Sequence, residues 1–153
     1  MQFEIRKARS QDEDEVYGLV RNFAVSFQPD RITFSHSFKR LILEESARVL
    51  VAVSQKTIVG YLLGFTHLTF FANGSVGWIE EIMVDETFRR QGIARALTMD
   101  FEQWVTSRGG KLVALATRRA SDFYRSIGYE ESAIYFRKEF TSREVEQTEG
   151  SSS

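Results

Sequence analysis

The 153-residue chain has no cysteine. That absence excludes a disulfide framework, thiolate-bound zinc, iron–sulfur clusters and a cysteine nucleophile. Proline occurs once, at Pro29, and no Ser/Pro-rich linker divides the chain before its polar C-terminal tail. Histidine occurs twice, at His36 and His67, with no further ligand-like spacing around either, so no metal site is expected. No apolar run nears the ~18 residues of a membrane span. The opening Met1-Gln2-Phe3-Glu4-Ile5-Arg6 lacks the charged-then-apolar layout of a signal peptide, and the expected protein is soluble and cytoplasmic. Charge of one sign is also missing. Against 21 acidic residues stand 20 basic ones, a net charge of −1, which gives no whole-domain attraction to nucleic acid.

What is present is aromatic and globular. Phe occurs 13 times, Tyr 5 and Trp 2, and 42% of residues are hydrophobic, far from a disordered composition. The length suits one domain with a core of its own. The expected organisation is a domain over residues 1–140 followed by a polar, flexible tail over 141–153.

Periodicity supplies the elements. Phe3 to Lys7 alternates like a strand. Ser10-x-x-Glu13 is a capping-box pattern, and Val16, Leu19, Val20 and Phe23 then recur at helical spacing, predicting a helix over 11–23. Ala24 to His36 reads as a loop, followed by a helix over about 37–45. Arg48 to Ser54 and Thr57 to Phe65 are β-branched runs around Gln55-Lys56, the second continuing towards Phe71, where Asn73-Gly74 signals a tight hairpin. Val76 to Val84 is a long strand. A helix begins near Gly92, carries Ile93, Ala96, Leu97, Phe101, Trp104 and Val105 on one face, and ends at Gly109-Gly110. Leu112 to Ala116 is apolar on both faces, as a central parallel strand should be. A helix over 119–127, stopped by Gly128, and a half-exposed strand over 132–140 complete the order. The fold class is α/β: a mixed, mostly antiparallel sheet with a central parallel strand pair and helices on both faces.

One segment concentrates chemistry. After the strand ending at Val84, the turn runs Arg89-Arg90-Gln91 into a helix that starts on Gly92-Ile93-Ala94-Arg95. The first amides of a helix have no internal acceptor and carry partial positive charge. Small residues admit close approach, and three arginines surround the spot, which makes an anion cradle. It is neither a Walker loop nor a dinucleotide fingerprint, since G-x-x-x-x-G-K-[ST] and G-x-G-x-x-G are both absent. Gly74-Ser75-Val76-Gly77 is not a nucleophile elbow either.

The strand end Ile82-Met83-Val84 with Arg89-x-x-Gly92-x-Ala94 resembles motif A of the GNAT family of N-acetyltransferases. Asp122-Phe123-Tyr124-x-x-x-Gly128-Tyr129 resembles that family's F-Y-x-x-x-G-[FY] signature. The element order is similar from Phe3 to Phe140. The resemblance implies acetyl-CoA as acetyl donor. Its pantetheine would pair with the backbone of Ile82, Met83 and Val84, on a strand that bulges and splays from its parallel neighbour. Its pyrophosphate would lie on Arg90-Gln91-Gly92-Ile93-Ala94-Arg95, with Arg89 at the motif's first position. Ala94 departs from the family's glycine. The family's asparagine before the signature helix is missing from Leu115-Ala116-Thr117-Arg118-Arg119, so Thr117 or a backbone group takes its place, and Arg118 and Arg119 are candidates for the adenosine phosphates.

The resemblance also implies Tyr124 as the general acid. A phenol of pKa about 10 is a competent donor to a departing thiolate of pKa near 8.5. A base is needed for the protonated amine, and Glu80 and Glu81 are the candidates. Neighbouring strand residues face opposite sides, so one of the two points into the cleft. Simple alternation groups Glu81 with Ile79 and Met83, opposite Glu80 and Ile82; a bulge would invert this. The expected reaction is direct transfer to a primary amine, with a small-molecule acceptor favoured by the acidic pair. A protein N-terminus or lysine, and a non-catalytic acyl-CoA-binding module, are the alternatives. No nucleic-acid or membrane partner is expected. A homodimer is compatible with the resemblance, with the last strand as a candidate edge.

Overall fold

Alternation in the sequence becomes a single sheet. The computed structural model describes residues 2–23 and 27–150. Its strands are β1 (Glu4–Lys7), β2 (Ala47–Ser54), β3 (Thr57–Thr69), β4 (Gly74–Val84) and β5 (Val113–Leu115), neighbours in that order. β1 to β4 are antiparallel, and β5 runs parallel to β4. The helices are α1 (Glu13–Phe23), α2 (Arg31–Leu41), α3 (Ile93–Ser107), α4 (Ser121–Ser126) and α5 (Ser142–Gly150). The chain divides into two compact units. Met1–Thr117 holds the whole sheet with α1 to α3, and Arg118–Ser153 holds α4 and α5. Among the described residues no helix is long and apolar enough to cross a membrane.

Two apolar layers sandwich the sheet. On one face Ile93, Leu97, Phe101 and Val105, one per turn of α3, pack on Leu50, Ala52, Val59, Leu62, Ile79 and Val84. On the other, Val16 and Leu19 of α1 and Phe38 of α2 cover Val49, Val51, Ile58 and Tyr61. Residues 49 to 52 thus alternate between the layers, as period-two geometry demands. The fully buried Phe101 lies so close to the sheet that a Cβ added at Gly64 would stand 2.2 Å from its ring. Glycine there is a packing requirement.

Local differences from the expected elements have identifiable causes. The first helix is not capped by Ser10 and Glu13. Asp12 accepts from Arg9 N at 2.7 Å and binds Arg6 through both oxygens, at 2.7 and 2.9 Å, while Glu13 pairs with Arg31. The second helix begins at Arg31, six residues before the expected start, because Asp30 caps it by accepting from the Thr33 amide and hydroxyl. Part of the expected loop, 24–26, lies outside the described residues. The two-residue hairpin is Gln55-Lys56, both at positive φ. The Asn73-Gly74 signal marks the end of a longer loop instead, since Gly74 already pairs with Thr69. Thr69 closes that loop, its hydroxyl accepting from Ala72 N and donating to Gly74 O.

The expected last strand is not formed. Residues 129–140 are irregular, with Ile134 and Phe136 80% and 86% exposed. Alternation alone does not make a strand; it needs a ladder partner and a buried face. Within the tail, expected to be solvated, Ser142–Gly150 is helical, and its residues whose burial is described are exposed.

Candidate active site

β4 parts from one neighbour while keeping the other. Its parallel ladder with β5 runs through Gly77↔Val113, Trp78↔Ala114 and Ile79↔Leu115 and then stops. β4 continues to Val84, still paired with β3. At that same point the β3 register skips a residue: Gly64 faces Ile79 and Leu63 faces Glu81. Glu80 is therefore the extra residue of a β-bulge, which bends a strand and re-aims its side chains. Along Ile82-Met83-Val84, the strand edge turned away from β3 carries N–H and C=O groups beyond the end of the parallel ladder.

The bulge also turns the alternation over. Ile79, Ile82 and Val84 all pack on the α3 side. Met83 packs on the α1/α2 side, where Glu81 bounds an apolar cavity of about 100 Å³ with Val16, Phe34, Phe38 and Tyr61. The expected grouping of Ile79 with Glu81 and Met83 is thus corrected: the bulge places Ile79 on the opposite face from the other two.

The two adjacent carboxylates have different surroundings. The Tyr61 hydroxyl donates to Glu81 Oε1 at 2.8 Å. Burial raises the Glu81 pKa above the ordinary carboxylate value, the nearby charge of Glu80 adds to this, and the Tyr61 hydrogen bond opposes it. The Tyr61 phenol is itself pushed far up, by burial first and then by the Glu81 charge, so it keeps its proton and remains the donor. Glu80 is exposed and accepts from Trp78 Nε1 at 2.6 Å.

Beyond β4 the backbone is arranged for an anion. The Asp85 amide donates to Val59 O at 2.8 Å, and Arg89 Nε donates back to Val84 O at 3.2 Å, tying the turn to the strand end. Arg90 at φ +64° and Gly92 at φ +84° both take the left-handed conformation. Glycine adopts it without strain, and the chain thereby turns directly into α3. The amides of Ile93, Ala94 and Arg95 form the helix's first turn and have no acceptor within it. A Cβ at Gly92 would meet nothing within 4 Å, so the space beside the helix start at Gly92 is open. Arg89, Arg90, Gln91 and Arg95 are exposed around it, while Ile93 is 1% exposed and anchors the turn in the core. A turn so built can hold a phosphate on backbone N–H groups and formal charge together.

Thr117 is exposed at the end of the first unit, beyond β5. In the second unit, Tyr124 on α4 is 7% exposed. The rings of Phe123 and Tyr129 meet it edge-on at 5.0 and 5.6 Å, and burial raises its phenol pKa above the usual value. Gly128 at φ +98° ends α4, and Tyr129 N returns to Tyr124 O at 2.9 Å. The F-Y-x-x-x-G-Y pattern thus folds as a helical turn whose central tyrosine is held by its neighbours.

Sequence reasoning missed Tyr61. Its partner is two positions along the facing strand, since Tyr61 stands opposite Met83 and Leu63 opposite Glu81. Such diagonal pairs are set by register, which the bulge shifts. The only sequence signal was a tyrosine in an otherwise aliphatic run.

Residues 13–129 match the acetyltransferase (GNAT) family, and the chain belongs to that family. It is an N-acetyltransferase. Aminoalkylphosphonate N-acetyltransferase of Salmonella typhimurium is 28% identical over 141 residues, covering 88% of this chain and 90% of that one. Glucosamine-6-phosphate N-acetyltransferase of Arabidopsis thaliana superposes with a TM-score of 0.81 at 21% identity, over 92% of this chain and 100% of its own. The aminoglycoside N-acetyltransferase AAC(6')-Iy, solved with CoA, gives 0.78 at 19% identity, over 90% and 95%. At these identities the two structural likenesses show the fold.

Proposed function

We propose that this enzyme moves the acetyl group of acetyl-CoA directly onto a primary amine of a small molecule. The observation that carries the reading is a coincidence of three features in one stretch of chain. The β4–β5 ladder ends at Ile79, the bulge falls on Glu80, and β4 runs on into the left-handed turn at Gly92. An extended pantetheine needs an open strand edge, and a pyrophosphate needs amides and cations; Ile82–Val84 and Arg89–Arg95 supply these in that order. The amides of Ile93, Ala94 and Arg95, with Arg89, Arg90 and Gln91, hold the diphosphate. The backbone near Met83 polarises the thioester carbonyl.

Glu81 takes the proton from the incoming ammonium, and its raised pKa makes it a better base near neutrality than an ordinary carboxylate. The neutral amine nitrogen forms a bond to the acetyl carbon as the carbon–sulfur bond breaks. Glu81 passes that first proton to solvent and then takes the second from the nitrogen, while Tyr124 gives its proton to the departing thiolate and is reprotonated from solvent, so that one proton is released overall. Exposed Glu80 draws cations to the cleft, and Thr117 contributes a hydroxyl to the coenzyme chain. With no cysteine in the chain, no cysteinyl acyl-enzyme intervenes. A small acceptor is supported by the modest, apolar-walled cavity beside Glu81 and by the aminoalkylphosphonate in the Salmonella relative's name.

The test is a panel of acceptors with acetyl-CoA, read by thiol release, to which a cysteine-free enzyme adds no background. Turnover with small primary amines, at a higher kcat/KM than with peptides bearing a free N-terminus or lysine, supports the reading. Turnover confined to peptides overturns the small-molecule acceptor, and acetyl-CoA binding without any turnover points to a non-catalytic binding module.

A further inference from the structure

A second cavity in the first unit lies away from Glu81. It has a volume of about 290 Å³ and lies where β2 begins and α2 and α3 end. Its wall includes Lys7, Arg48, Trp104 and Arg108, with Glu44 and Glu45 as the acidic members. Trp104 is twelve residues along α3 from Gly92, roughly 18 Å at a rise of about 1.5 Å per residue. The cavity is therefore separate from the turn assigned to the diphosphate.

Its charges are arranged around one ring. The guanidinium carbons of Arg48 and Arg108 lie 5.7 and 5.2 Å from the Trp104 centroid. Cation–π contact with a partly buried indole holds both groups in place. Arg108 sits at the C-terminal end of α3, where a cation complements the helix dipole, and that alone accounts for its position. It does not account for Arg48. The Nε of Arg48 is buried and has no hydrogen-bond partner, and neither arginine has a carboxylate partner among the described residues. A buried N–H without an acceptor costs about 1–3 kcal/mol, so the guanidinium is held here by its packing on Trp104 rather than by a protein acceptor, and it forms part of the cavity wall. Glu44 and Glu45 are exposed and offset part of the three cations' charge, leaving the cavity net positive by one.

We propose that this cavity is a second ligand site, taking the oxyanion of a small metabolite, a carboxylate or a phosphate, on Arg48 and Arg108 against Trp104. Arginine's fork suits either group, because both present two oxygens to parallel N–H donors. The partial offset by Glu44 and Glu45 suits a compact anion of low charge rather than an extended polyanion.

Trp104 is itself the reporter. In a Trp78→Phe background it is the sole remaining tryptophan of the two. Its fluorescence is titrated with sodium succinate and, separately, with sodium phosphate at constant ionic strength. The expected result is a saturable change with at least one of the two anions, and which one responds identifies the oxyanion. In Arg48→Gln the midpoint should weaken about tenfold or more, as loss of a charge-assisted hydrogen bond requires. The same is expected of Arg108→Gln, an exposed position that leaves the core untouched. A Gly92→Glu change, which blocks the distant helix start, should leave the response in place. No saturable response to either anion overturns the proposal. So does a response that survives both arginine substitutions or disappears with Gly92→Glu.

Discussion

Tyr61 and Glu81 are diagonal neighbours on β3 and β4, joined by a 2.8 Å hydrogen bond from phenol to carboxylate. The bond stabilises the charged form of a carboxyl group that burial pushes the other way. Removing it with Tyr61→Phe should raise the Glu81 pKa further. If Glu81 is the base, the acidic limb of the pH profile of kcat/KM then moves to higher pH, by about one pH unit for one such hydrogen bond. Glu81→Gln should abolish the limb, and Glu80→Gln should shift it slightly to lower pH, because a neighbouring negative charge is lost. A limb that stays in place in Tyr61→Phe separates Glu81 from proton removal.

Tyr124→Phe deletes a single oxygen from a side chain wedged between Phe123 and Tyr129. The expected effect is a fall in kcat of about a hundredfold, the usual reach of a positioned general acid, with acetyl-CoA affinity unchanged by calorimetry. An unchanged kcat would assign Tyr124 to packing alone.

Gly64→Ala should destabilise the fold by about 1–3 kcal/mol, because the new methyl group overlaps the buried Phe101 ring. Urea denaturation measures the loss. Combining it with Phe101→Leu should cost less than the sum of the two single changes, since the smaller side chain relieves the overlap.

The Arg6–Asp12 pair gives stability a defined pH dependence. Two hydrogen bonds to Arg6 hold the Asp12 pKa below its unfolded value, against burial, and the Arg9 amide adds to them. A depressed folded pKa contributes fully above the unfolded value near ~3.9 and is lost as pH falls through the folded one. Asp12→Asn should therefore cost about 2 kcal/mol at neutral pH, and the difference from the wild type should narrow in acid. A gap that stays constant from pH 7 to pH 2 would contradict this.

Much of this was legible in the chain. The 93, 97, 101, 105 spacing predicted α3 and its buried face, and the arginine-flanked Gly92 marked the helix start, because both depend on local pattern. Three things were not. The resemblance implied a bulge on this strand, but its place at Glu80 is a property of two strands in register, and that place decides that Glu81 faces Tyr61 and parts from Ile79. The early start of α2 rests on the Asp30 cap, which a loop reading through the only proline obscured. Residues 132–140 alternate without a ladder among the described residues, and pattern alone does not distinguish a paired strand from an unpaired one.

The central claim is that the turn at the start of α3 holds the diphosphate of acetyl-CoA. Calorimetric titration of acetyl-CoA into the wild type, Gly92→Glu and Gly92→Asn tests it most directly. Asparagine tolerates the left-handed φ of +84° and adds no charge, so it controls for backbone strain. The account predicts a Kd on the order of micromolar for the wild type, somewhat weaker binding for Gly92→Asn, and none for Gly92→Glu, whose carboxylate occupies the diphosphate's place. Equal affinity in Gly92→Glu, or no binding by the wild type at millimolar acetyl-CoA, would contradict it.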